Sequence, residues 1–228
     1  MKIQNPFRDL SKFEFILWII SVTVVTGSFL LVPVKDYLTL WASLIGVTAL
    51  IFVAKGYVLG QVLTLIFAVF YGAISYHFTY YGEMITYLCM TAPIALASIV
   101  TWVRNPYKGS REVKVAHMGK MHIAIMWMLA FIVTAIFYFI LKALGNANLL
   151  FSTISITTSF LASYLTMMRN PFYAIAYGAN DIVLIVLWIL ATIENHAYFP
   201  MIICFVMFLI NDVYGFINWQ RMKKRQQA

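Results

Sequence analysis

Hydrophobic and polar positions alternate along the chain on a coarse scale: apolar runs of about 20 residues, each closed by a short polar turn. Eight windows carry this pattern, at roughly 13–32, 37–54, 57–76, 82–103, 122–141, 149–168, 171–192 and 198–219. An α-helix rises about 1.5 Å per residue, so about 20 apolar residues cross the hydrocarbon of a bilayer. The pattern predicts an all-α integral membrane protein with eight transmembrane helices. Composition agrees, because 63% of the 228 residues are apolar and only 11% are charged, more apolar surface than one water-soluble core would bury.

Within the apolar runs the polar residues fall at helical spacing. On the seventh span Tyr173, Tyr177, Asn180, Asp181 and Trp188 share one face. The eighth carries Asn211, Tyr214, Asn218 and Arg221, and the sixth a hydroxyl row of Ser152, Ser155, Ser159, Ser163 and Thr166. Stripes in the first half are thinner: Gln61, Thr64, Tyr71 and Ser75 on the third span, with Glu83 and Thr86 on the fourth. A carboxylate near mid-span, such as Asp181, costs about 2.5–3.5 kcal/mol on insertion scales and is expected to face the bundle interior.

The chain also repeats itself. Tyr81, Met84, Ile85, Trp102 and Arg104 recur at identical spacing as Tyr198, Met201, Ile202, Trp219 and Arg221, and "VAKG" ending at the second span has a counterpart in "MMRNP" after the sixth, with Lys55 set against Arg169. The predicted organisation is 1+3+1+3: an N-terminal segment with a leading helix (1–36), a three-helix unit (37–104), a basic linker and linking helix (105–148), a second unit (149–221) and a basic tail (222–228). One linking helix between two odd-numbered units makes them parallel repeats, the SWEET-like arrangement.

Charge sets the expected orientation. With the N-terminus inside, only Lys35 and Lys142 of the 16 lysines and arginines fall outside, so both termini are expected in the cytosol. The net charge of +8 then reflects topology rather than a nucleic-acid partner, and the tail "RMKKRQQA" reads as a stop signal lying against anionic lipid. The first span has no small-residue cleavage site and is expected to be retained. Cys89 and Cys204 are read as buried and inert.

Catalysis finds no footing. His77, His117, His122 and His196 lack metal-ligand spacing, and neither a glycine-rich phosphate loop nor a nucleophile elbow occurs, so no catalytic residue, metal or cofactor is expected. The expected activity is passive or ion-coupled transport, with a substrate path between the two units. Candidate substrate-binding residues are Asn180, Asn211, Tyr177, Asp181, Trp188, Tyr214, Gln61 and Tyr173. Aromatic rings stack on flat ligands and amides both donate and accept, which suits a neutral or weakly charged ligand with a ring and several polar groups. Ser159 and Ser163 fit helix packing better than ligand contact. Asp181 is left open between a ligand hydroxyl, a proton and a neighbouring helix, while Asp212 is expected to pair with Lys55 or Arg169.

Together with the repeat, the segments "SLIGVTALIFVAKG", "IAYGANDIVLIVLWILATIE" and "FLINDVYGFINWQRM" resemble the PnuC transporters of bacteria, from about Asp36 to Arg221. The resemblance implies a SWEET-like homotrimer in the bacterial cytoplasmic membrane. It also implies uptake of nicotinamide riboside by facilitated diffusion, with trapping by cytosolic phosphorylation. Asn180 and Asn211 match the family's pocket asparagines. Some members carry tryptophans early in the seventh span, where this chain has Tyr173 and Tyr177. Related carriers of thiamine, riboflavin or deoxynucleosides, and a proton-coupled symporter using Asp181, are the alternatives.

Overall fold

The computed structural model describes residues 5–33, 36–77, 81–146 and 148–228. Among these residues eight helices are long and apolar enough to cross a membrane. They are α1 (Lys12–Leu31), α2 (Tyr37–Ala54), α3 (Val58–His77) and α4 (Tyr81–Val103), then α5 (Lys120–Ala143), α6 (Leu149–Met167), α7 (Tyr173–Glu194) and α8 (Phe199–Gln227). Lys35, one of the two basic residues expected outside, lies beyond the described residues.

Polar residues at the helix ends explain where the apolar runs start. Ser11 opens α1 with a capping box: its Oγ accepts from the Glu14 amide at 3.3 Å and its own amide donates to Glu14 Oε2 at 2.6 Å. Asp36 caps α2, accepting from the amides of Leu38 and Thr39. Helix α4 is not regular throughout. A π-helical stretch, Thr86–Thr91, precedes Pro93, whose ring and missing N–H disrupt the α-helical ladder one turn earlier.

Helices α2 and α6 end in the same way. Gly56 (φ 69°) and Arg169 (φ 56°) adopt the left-handed conformation, and Tyr57 and Asn170 donate back to Phe52 and Leu165, each at 2.9 Å. Glycine takes this conformation without cost, whereas Arg169 carries about 1–2 kcal/mol of backbone strain. Gly56 therefore aligns with Arg169, one residue away from the Lys55–Arg169 alignment read from the sequence.

The long contacts interlock the chain. Helix α2 packs on α3 and α8, and α6 packs on α7 and α4, while α7 also lies along α8. The first helix of each three-helix stretch thus rests on the third helix of the other. Helix α1 leans on α2 and α8. Helix α5 touches mainly α6, with 11% of its apolar window buried and Trp127, Phe131 and Phe139 exposed.

The linker after α4 is ordered by backbone bonds. Val113 donates to Gly56 O (2.9 Å) and Ala116 to Arg169 O (3.0 Å), so it ties together the ends of α2 and α6. The basic tail is the last turns of α8 rather than a separate segment. Gln226 donates to Glu112 Oε1 (2.7 Å) and accepts from the Val115 amide (2.8 Å), and Arg225 is paired with Glu112.

Candidate substrate-binding site

A cavity lies among α2, α3, α4, α7 and α8. From α7 it is lined by Tyr177, Asn180 and Asp181, and from α8 by Phe205, Phe208 and Asp212. Helix α3 supplies Gln61, Thr64 and Phe67; α4 supplies Tyr87 and Thr91 from its π-helical stretch; α2 contributes Gly46 and small or aliphatic residues. Gly46 is required there, because a Cβ would overlap the Phe208 ring.

The hydroxyl row of α6 holds the α7 face in place. Asn180 Oδ1 accepts from Ser155 (3.3 Å), Thr158 (2.9 Å) and Ser159 (3.0 Å). With its oxygen committed to α6, the amide nitrogen is the part left to a ligand. Ser163 shares a hydrogen bond with the Tyr177 hydroxyl at 3.3 Å. These serines pack a helix pair, and that packing orients two cavity residues.

The remaining candidates are distributed elsewhere. Asn211 is buried but turned toward α1, its Nδ2 donating to Ser21 Oγ (3.0 Å) and Met207 O (2.7 Å). Tyr214 donates to Glu14 Oε1 at 2.8 Å, and Tyr173 packs its ring on Trp219 with 5.0 Å between centroids. Trp188 donates to the Tyr71 hydroxyl at 3.0 Å and borders a second cavity with Glu83, Asn146, Asn148 and Ser152. The structure therefore brings Tyr177, Asn180, Asp181 and Gln61 to the cavity and places Asn211, Tyr214, Tyr173 and Trp188 around it.

Two expectations change. Lys55 does not meet Asp212: it pairs with Glu14 at 3.0 Å, because α1 packs beside α2 and presents a carboxylate to it. Asp212 turns inward and lines the same cavity as Asp181. Cys89 is exposed rather than buried, whereas Cys204 is buried as expected. The signal for Asp212 was its spacing from Phe205 and Phe208, an i, i+3, i+7 face distinct from the Asn211–Tyr214–Asn218 stripe.

Eight membrane-capable helices around a cavity lined by rings, amides and carboxyl groups describe a polytopic membrane protein. The chain belongs to the nicotinamide mononucleotide transporter family, whose model matches residues 36–221. It is 25% identical to the nicotinamide riboside transporter PnuC of Neisseria mucosa, over 97% of this chain and 86% of the relative. The PnuC of Haemophilus influenzae is 24% identical over 83% of this chain and 82% of its own length. A crystal structure of the vitamin B3 transporter PnuC superposes with a TM-score of 0.83 at 25% identity, covering 95% of this chain and 94% of the other. The protein is a membrane transporter and not an enzyme.

Proposed function

We propose that this protein takes up nicotinamide riboside by facilitated diffusion across the bacterial cytoplasmic membrane, with phosphorylation in the cytosol preventing return. The observation that carries this reading is the cavity, where an Asn180 amide held by three α6 hydroxyls stands among Tyr177, Tyr87 and Phe67. A carboxamide-bearing ring needs an aromatic wall, a donor and an acceptor; the rings line the cavity, the Asn180 amide nitrogen is the donor, and the Gln61 carboxamide from α3 carries an acceptor oxygen.

The architecture is that of SWEET-like parallel repeats. Its support is reciprocity: Trp102 Nε1 donates to Thr166 O and Trp219 Nε1 donates to Val53 O, both at 2.9 Å, across the two three-helix stretches. Both termini face the cytosol, in keeping with the positive-inside rule. The functional assembly is a homotrimer, as the family resemblance implies.

Uptake of labelled nicotinamide riboside into proteoliposomes holding the purified chain tests the function. Saturable entry without an imposed ion gradient, lost in Asn180→Ala, is the expected result. Entry that collapses with an uncoupler identifies proton coupling instead, and entry of thiamine or riboflavin alone identifies another substrate.

A further inference from the structure

At the inner end of the bundle the carboxylates have bases. Glu14 meets Lys55 at 3.0 Å, Asp9 meets Arg111 at 2.9 Å, and Glu112 is paired with Arg225. The central cavity is different. Asp181 and Asp212 are each 3% exposed, and no lysine, arginine or histidine is among the residues lining it.

Both carboxyl groups line this one cavity, Asp181 from α7 and Asp212 from α8. An ionised carboxylate offers only acceptors, so neither group can satisfy the other. Asp181 Oδ2 is buried, has no hydrogen-bond partner and lies on the cavity wall. A charge so withdrawn from water is costly unless an opposite charge joins it.

Around the pair stands a connected aromatic surface. Phe67 meets Tyr87 edge-on at 5.9 Å and Phe208 at 5.5 Å, and Phe208 meets Phe205 at 5.3 Å. Ring faces attract cations, and more strongly where water is excluded. Carboxyl groups without a base and rings without a charge together describe a receptor for a flat organic cation.

We infer that Asp181 and Asp212 form the counter-charge for a permanently cationic ring in the central cavity, so that positive charge is a main selector of substrate. The inference rests on the proposed function and deepens it. The pyridinium of nicotinamide riboside is positively charged at every pH, whereas most nucleosides are neutral. Polar stripes alone pointed to a neutral or weakly charged ligand; two aspartates brought to one cavity from α7 and α8 change that expectation.

The test is calorimetric titration of the full-length purified protein with nicotinamide riboside and with its dihydro form, which has the same substituents and no charge. Wild type is expected to favour the cation by at least about tenfold, the low end of coupling for close desolvated charge pairs. Asp181→Asn and Asp212→Asn should each reduce that preference to about threefold or less while dihydro-riboside binding persists. Equal binding of both forms by wild type, or an unchanged preference in both variants, overturns the inference and leaves the riboside assignment standing.

Binding of neither form overturns the riboside assignment instead. The charge inference is then read with thiamine, whose thiazolium is a permanent cation, against uncharged thymidine: preference for thiamine upholds it, and no preference overturns it. The wild-type ratios need no variant, so an aspartate substitution that fails to fold does not disable the test.

Discussion

Trp102 and Trp219 meet ring to ring, with 5.5 Å between centroids, while each indole donates its N–H to the terminal turn of a helix in the opposite three-helix stretch. The bonded carbonyls, Thr166 O and Val53 O, also accept the left-handed turn amides of Arg169 and Gly56. Each indole therefore joins the end of one stretch to the turn that closes the first helix of the other.

Replacing either tryptophan with phenylalanine keeps most of the ring and deletes the donor. Trp102→Phe and Trp219→Phe are each expected to destabilise the protein by about 1–3 kcal/mol, because a buried N–H···O bond is lost. Because the rings touch, the double variant should depart from the sum of the single effects. Thermal unfolding in detergent, or against denaturant in mixed micelles, measures this.

Asn180 and Asn211 should separate in function. Loss of the Asn180 amide is expected to weaken nicotinamide riboside binding by about 10- to 100-fold, the range for an unpaired polar contact. Asn211→Ala instead removes a tie between α1 and α8, so it should lower the unfolding temperature and change affinity by less than about threefold. Titration and melting of both variants distinguish a ligand contact from a helix tie.

Gly46→Val should fill the cavity from the α2 side. The nearest atoms to an added Cβ belong to the Phe208 ring, with Phe67 Cδ2 at 3.2 Å. Overpacking of this kind costs about 1–3 kcal/mol, and the displaced rings would narrow the ligand space. Both stability and binding should recover in the Gly46→Val/Phe208→Leu double variant, as read by melting and titration.

The Glu14–Lys55 pair is the anchor of α1. Glu14 is 4% and Lys55 15% exposed, and the same carboxylate serves the Ser11 capping box and the Tyr214 hydroxyl. Lys55→Met leaves Glu14 buried without its base and is expected to cost about 3–5 kcal/mol. Adding Glu14→Gln should return part of that loss, which a double-mutant cycle by thermal unfolding would show.

Long-range order in the sequence was enough to read the eight spans, because a bilayer-length apolar run has one stable form. The α7 face was also legible: Tyr177, Asn180 and Asp181 share a side and reach one cavity. On α8 two polar faces lie about 100° apart, one serving α1 and α2 through Asn211, Tyr214 and Asn218, the other serving the cavity through Asp212. Spacing cannot say which neighbour each face meets. That depends on α1, whose sequence shows little beyond an apolar run with one acidic residue, Glu14. The same ignorance of neighbours offered Lys55 or Arg169 to Asp212, whereas Lys55 pairs with Glu14, 41 positions away in the sequence.

The linker after α4 grips Gly56 O with one residue and Arg169 O with another, and Gln226 of α8 pins it from the third side. A strap fastened at three points cannot lengthen as a loose loop would. If the two three-helix stretches rock against each other during transport, the strapped end serves as the fulcrum. The wider excursion then falls at the opposite end of the bundle, beyond the buried Trp188–Tyr71 contact.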